Sequence, residues 1–360
     1  MKILNRYILK HFRRYLLLSL MTFVGLYLVV DFLEKIDNFT KHNAALELYL
    51  LYYLNTVPMV VVQIIPLAVL LAVFLTIGAL SRNNELTAMR SGGVSLGHIS
   101  LPLLGIALLI SFMVMGASEL LVPVTSEKAR HIYNVEVKKR QLLATQKGNL
   151  WFNNSEQLIH IRRYRANNLT LLGIIALKTD PEQQLLRRVD APRGRYENKQ
   201  WKLSNAVVRH FDPASGELTM LEKYPSFILE MDKTPEDFEG SQPRPEEMNM
   251  WQLYEMAQTM ADEGFDNTRY TVDLFAKMAT PFACLVMAFF GIPFAIQRGR
   301  NSNLAMGIGL SIAIGFLFFI CQTVLQAFGY SAALPPIIAA WGANLVFLLL
   351  GIWSLLSTQR

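Results

Sequence analysis

The sequence predicts a helical membrane protein with an inserted β-domain: three transmembrane helices, an extracytoplasmic jelly-roll-like sheet, then three more helices. Three observations carry this. Apolar residues make up 52% of the 360 and charged residues only 17%, against about 25% charge in ordinary globular chains. The apolar residues gather into six runs, each close to or above the roughly 20 helical residues needed to cross a bilayer. Between the third and fourth runs the pattern changes to short strand-length pieces that hold most of the charge.

The six runs cover roughly 16–33, 57–80, 99–122, 274–296, 304–328 and 334–356. The first is too long for the apolar core of a cleaved signal peptide, and no small-residue cleavage pattern follows before Asp31, Glu34 and Lys35. Pro66, Pro102 and Pro293 fall inside runs and predict kinks that neighbouring helices can satisfy. The organisation is therefore 1–124 for helices one to three, 125–270 for the β-domain and 271–360 for helices four to six.

Within 125–270, Leu158-Ile159-His160-Ile161-Arg162 and Trp201-Lys202-Leu203-Ser204 alternate as strands do, and Asp180-Pro181 and Asp212-Pro213 punctuate them. This fits a β-sandwich, a jelly roll or an open sheet. In the first of these strands, either Leu158 and His160 or Ile159 and Ile161 face inward, and the two isoleucines are the better pair because both are apolar. After the proline-rich link Ser241-Gln242-Pro243-Arg244-Pro245, Asn249 can cap a short helix near 250–262 that Gly264 stops.

Short loops set the orientation. Lys2, Arg6, Lys10, Arg13 and Arg14 precede the first run; Arg82 and Arg90 lie between the second and third; Arg298 and Arg300 lie between the fourth and fifth; Arg360 ends the chain. The positive-inside rule puts both termini in the cytoplasm and the β-domain outside.

Several chemistries are excluded. No P-loop, H-E-x-x-H or G-x-S-x-G pattern is present. The six histidines are scattered, and the two cysteines, Cys284 and Cys321, sit in apolar runs, so neither a metal site nor a disulfide framework is expected. A net charge of +6 without basic runs interleaved with aromatics argues against a nucleic-acid partner. The runs are nearly free of mid-membrane charge, which disfavours an ion or proton relay. What remains is a non-catalytic membrane protein with no cofactor.

Three segments carry more specific signals. In the cytoplasmic loop 81–93, Leu86 and Met89 share a helical face, Ser81 can cap the helix and Gly92-Gly93 can end it. Such a helix either plugs a partner's groove or lies on the bilayer. At the outer end of the first run, Lys35 and Lys41 can hold an anionic headgroup or simply anchor the helix at the surface. In the fifth run, Gly307, Ser311 and Gly315 permit close helix packing, within the chain or between subunits.

The segment Glu85-Leu86-Thr87-Ala88-Met89-Arg90-Ser91-Gly92-Gly93 resembles the E-L-x-x-M-R-x-x-G loop of the LptF/LptG family, the membrane subunits of the lipopolysaccharide export ABC transporter. Leu4-Asn5-Arg6-Tyr7, Thr268-Arg269-Tyr270, Lys277-Met278-Ala279-Thr280-Pro281 and Ala340-Trp341-Gly342-Ala343-Asn344 extend the resemblance along nearly the whole chain. It implies a bacterial inner-membrane permease that pairs with a paralogous F-type or G-type subunit above an LptB-type ATPase dimer. Lipopolysaccharide then leaves the membrane and passes to LptC and the LptA bridge. Arg82, Glu85, Leu86, Met89 and Arg90 would couple to the ATPase. Lys35 and Lys41 would meet lipid phosphates, and Ile159 and Ile161 would meet acyl chains. Pro335-Pro336-Ile337-Ile338 favours the G-type. The rival readings are a permease for another lipid or lipoprotein, and an anchored envelope sensor or adaptor.

Overall fold

The computed structural model describes the chain apart from residues 1, 42–44, 139–143, 147–148, 155–156, 166–167, 181–183, 214, 236–237, 239–243, 263–265, 299–303 and 359–360. Gly264, Arg300, Arg360, Pro181 and link residues 241–243, all used in the sequence reading, lie outside the described residues. Two compact units emerge: Met1–Ala129 with Pro245–Arg360, and Arg130–Arg244.

The first unit is helical. Its elements are α1 (Lys2–Lys41), α2 (Leu46–Arg82), α3 (Glu85–Ser91), α4 (Leu96–His131), α5 (Met250–Asp262), α6 (Thr268–Ala279), α7 (Ala283–Arg298), α8 (Leu304–Tyr330) and α9 (Pro336–Thr358). Six stretches are long and apolar enough to span a membrane, and α6 and α7 share the fourth, Thr268–Ile296. Burial is uneven. The apolar windows of the second and fourth spans are 67% buried, that of the first only 6%. α2 and α7 therefore form the centre, while α1 turns most of its apolar surface outward, as a helix in lipid can.

Small residues permit this packing. A Cβ on Gly315 would stand 2.0 Å from Leu67 Cδ1, and one on Gly307 2.1 Å from Phe74 Cε1, while Ser311 between them is fully buried. The Gly307–Ser311–Gly315 stripe of α8 is thus spent on α2 of the same chain. The helix over 250–262 belongs with this unit and not with the β-domain, so the unit boundaries fall at 129/130 and 244/245 where the sequence suggested 124/125 and 270/271. The reason is packing: Leu253, Ala257 and Met260 bury one face of α5, and the Met250 amide is tied to Glu119 of α4.

The second unit is one antiparallel sheet in chain order, β1 (Ala144–Gln146), β2 (Asn149–Asn154), β3 (Gln157–Arg165), β4 (Thr170–Thr179), β5 (Leu185–Glu197), β6 (Gln200–Phe211) and β7 (Leu218–Leu229). Of the forms the sequence allowed, this is the single open sheet: each described strand pairs with its sequence neighbour. Asn198 and Lys199, both at positive φ, make the two-residue β5–β6 turn.

A transverse crease crosses the sheet. Arg162, Gly173, Pro192, Asn205 and Pro225 drop out of four successive ladders, yet each ladder resumes with its register unchanged. Extending those registers puts the five residues in one row. Gly173 and Asn205 there adopt φ of 62° and 55°, and prolines occupy the row on β5 and β7. The inward set changes parity at this row. On one side Ile161, Ile174, Ala191 and Ala206 are buried, and on the other Tyr164, Leu171 and Leu203, three positions away rather than two or four. A regular strand would place residues three apart on opposite faces. The crease lets both halves feed one core, which Trp201 and Phe238 complete with rings at 5.5 Å and a Trp201 Nε1–H bond of 2.8 Å to the Lys233 carbonyl.

Gly173 is doubly constrained, since its φ is positive and an added Cβ would stand 2.9 Å from Arg162 Cβ. Gly173→Ala is expected to destabilise the sheet by about 1–2 kcal/mol from the left-handed backbone alone, whereas Asn205→Gly is expected to be nearly neutral. Hydrogen exchange in β3 to β6 of the full chain checks both. Equal protection in Gly173→Ala and the parent protein would contradict the strain.

Candidate functional site: the loop helix and the outer end of the first span

Helix α3 lies between the second and third spans. Ser81, expected as its cap, is instead inside α2, and the residue before the helix is Asn84 at φ 59°, which makes no side-chain cap. The chain turns there because Asn83 N–H and Asn84 N–H bond to the Ala79 and Ser81 carbonyls, closing α2. The glycine end is as expected. Gly92 N–H bonds to Ala88 O, Gly93 takes φ 85°, and Val94 N–H returns to Met89 O at 3.0 Å.

The apolar face of α3 points into its own bundle. Leu86 is buried beside Ile8, Phe12, Leu80 and Ile99, and Met89 packs against the same cluster. These two residues hold the helix in place. Thr87, Ala88 and Arg90 are exposed on its other side, and Arg82, the last residue of α2, is exposed just before it in the chain. Glu85 sits at the edge, where Tyr7 Oη–H donates to its Oε2 at 2.9 Å and Asn83 Nδ2–H to its Oε1 at 3.2 Å. Tyr7 was not expected here. Its sequence trace is its place in Leu4-Asn5-Arg6-Tyr7, one helical turn before His11, whose ring it meets edge-on at 4.6 Å.

At the outer end of α1 the two lysines part company. Six residues are about 240° of helical rotation, so Lys35 and Lys41 lie on different faces. Lys35 Nζ donates to Asp31 Oδ1 at 2.6 Å and to Tyr52 Oη at 2.7 Å, and stands 5.1 Å from the Tyr52 ring centroid. Phe39 stacks on Tyr49 at 4.3 Å beside them, sealing α1 to α2. Lys41 ends α1 exposed. Asp31 and Tyr52 are the partners that sequence reasoning missed. Asp31 is four residues from Lys35, a spacing visible in the sequence, but Tyr52 is reached only once α2 folds back.

In the β-domain, Ile159 and Ile161 are fully buried in the sheet's apolar cluster, while Leu158 is exposed and His160 stacks on Trp151 at 4.2 Å on the opposite face. The inward face is therefore the expected one. Among the described residues no group of three or more His, Cys, Asp and Glu side chains is arranged to hold a metal ion.

The profile of the lipopolysaccharide export system permease LptF/LptG family matches residues 6–357. The chain belongs to the LptF/LptG family. Among its relatives is the lipopolysaccharide export system permease protein LptG of Haemophilus influenzae, 24% identical over 357 residues, which are 99% of each chain. The LptG protein of Escherichia coli K12 is 23% identical over 355 residues, 98% of each. This chain is accordingly a multi-pass membrane permease of the lipopolysaccharide export system, and a non-catalytic subunit.

One pH effect follows from the sheet. Burial, and after it the Arg162 guanidinium, lowers the pKa of the His160 imidazole, so the folded state favours the neutral ring. The unfolded chain binds that proton more readily. Stability should therefore fall as pH drops below about 6.5 and stop falling below the depressed folded pKa. Hydrogen exchange in β2 and β3, corrected for intrinsic rate, should speed up over that window, and His160→Gln should flatten the dependence. Slower exchange in acid would contradict it.

Proposed function

We propose that the chain is a G-type subunit that, beside an F-type partner, extracts lipopolysaccharide from the outer leaflet of the inner membrane and delivers it toward LptC and the LptA bridge. Both relatives described above are LptG proteins, which supports the G-type reading. The termini are cytoplasmic and the β-domain periplasmic, by the loop charges. Extraction of a multi-acyl lipid is uphill, and the energy comes from an LptB-type ATPase dimer.

The observation that carries this reading is the state of α3. It is fixed to its own bundle by Leu86 and Met89; Arg90 is exposed on it, Glu85 lies at its edge, and Arg82 is exposed at the end of α2 just before it. A short rigid helix so held passes a push from a partner directly to α1, α2 and α4. In this proposal Glu85 meets a basic residue of the ATPase groove, with Tyr7 orienting its carboxylate. In the same proposal the cluster that buries Ile159 and Ile161 opens to take acyl chains, where each CH₂ removed from water contributes about 0.8 kcal/mol.

Glu85→Lys places like charges together, and the loss of a partly buried pair of this kind amounts to about 2 kcal/mol or more, roughly thirtyfold in affinity. ATPase copurification and transport should both drop. Unchanged copurification would reject the docking role.

The lysines should differ in effect. Lys41 is exposed, whereas Lys35 is already neutralised by Asp31. Each basic residue near an anionic surface contributes about 1 kcal/mol, some fivefold in occupancy. Lys41→Glu should therefore lower lipopolysaccharide crosslinking at the outer end of α1, and Lys35→Gln should lower it less. Crosslinking that is indifferent to Lys41 would leave both residues as interfacial anchors.

A further inference from the structure

Helix α5 takes no part in the mechanism above, yet it is built with care. Gln252 N–H donates to Asn249 Oδ1 at 2.7 Å while Asn249 N–H donates to Gln252 Oε1 at 2.9 Å, a reciprocal cap that fixes where the helix starts. Leu253, Ala257 and Met260 recur on one face and are buried in the helical unit.

The start of α5 is also tied to the ends of two spans. Met250 N–H donates to Glu119 Oε2 of α4 at 2.9 Å. The other oxygen of Glu119 lies 3.8 Å from Lys277 Nζ of α6, and that ammonium also donates to the Met248 carbonyl. The Lys277 side chain is 9% exposed, so the junction is largely closed to water. Directly after Glu119, α4 carries Leu120, Leu121 and Val124, all exposed and apolar on a membrane-spanning helix. α5 thus begins beside surface that faces lipid.

The opposite face of α5 carries two large aromatics. Trp251 is 71% exposed and Tyr254 44%, with ring centroids 6.1 Å apart, and Gln258 Nε2–H donates to Tyr254 Oη at 2.6 Å. Around them are Gln252, Glu255 and Asp262, and α5 contains no Lys or Arg. Rings with an apolar body and a polar tip favour the headgroup layer of a bilayer. An apolar strip two rings wide with a polar margin is small for a protein interface, but it continues the exposed apolar surface of α4.

We propose that α5 lies along the headgroup layer at the end of spans three and four from which the β-domain emerges, with Trp251 and Tyr254 inserted among lipid headgroups. The partner is the bilayer itself. The helix carries Glu255 and Asp262 and no basic residue, so the attachment rests on the two aromatics and gains nothing from anionic lipid. It holds the start of α6, and so of the fourth span, at the membrane surface. This inference stands apart from the export reading and does not depend on the lipid carried.

Tryptophan quenching in the full chain, reconstituted in phosphatidylcholine nanodiscs, tests it. Lipids brominated high on the acyl chain or near its end act as shallow and deep quenchers, and iodide reports on water. Trp251→Phe is conservative and leaves the other four tryptophans, including buried Trp201, to report a folded chain. The expected result is a component, present in the parent and lost in Trp251→Phe, that shallow bromines quench more than deep ones and that iodide scarcely reaches. Phosphatidylglycerol should not strengthen it. The proposal is overturned if parent and Trp251→Phe respond alike to bromine, whether Trp251 then answers to iodide or is covered by protein. It is also overturned if deep bromines quench the component more, or if phosphatidylglycerol strengthens the component.

Discussion

A bilayer interior offers backbone N–H and C=O groups no partner, so every peptide group crossing it must be satisfied within the protein. The rest of the architecture follows from that constraint. Among the described residues six stretches are long and apolar enough to cross as helices, and polar contacts gather near their ends: the Tyr7 hydroxyl with Glu85, and the ion pairs of Lys35 with Asp31 and Glu119 with Lys277. Between these ends helix contact is made largely by shape, beside a buried bond from Asn344 Nδ2–H of α9 to the Ala279 carbonyl of α6 at 2.8 Å. Gly307 and Gly315 bring α8 against Phe74 and Leu67, because lipid tails are as apolar as side chains and close packing is what remains to drive association.

The same groups are satisfied differently in the β-domain. A meander satisfies each ladder with its neighbour, but a flat alternating sheet would present a single inward face. The crease at Arg162, Gly173, Pro192 and Asn205 changes the inward parity in β3 to β6 without losing register. One apolar cluster therefore draws residues from both halves of the sheet, from Ile159 and Ile161 on one side to Leu203 and Trp201 on the other.

Features set by one segment alone were legible in the sequence. The spans, the Asn249 cap, the glycine end of α3 and the inward face of β3 each follow from a local pattern. Features set by two segments were not. Leu86 and Met89 read as one apolar face, but only the fold shows that this face meets Ile8 and Phe12 rather than a partner. Lys35 read as a headgroup ligand because nothing in the sequence brings Tyr52 to it. The crease was hidden most fully: a glycine, an asparagine and two prolines on separate strands become one row only when three registers are known.

If this bundle and sheet handle lipopolysaccharide and not another envelope lipid, mass spectrometry of the lipid that copurifies with the chain and an LptB-type ATPase will find bound lipopolysaccharide that ATP hydrolysis depletes when an acceptor is present. Retention of phospholipid or lipoprotein alone, with lipopolysaccharide absent both before and after ATP, would contradict it.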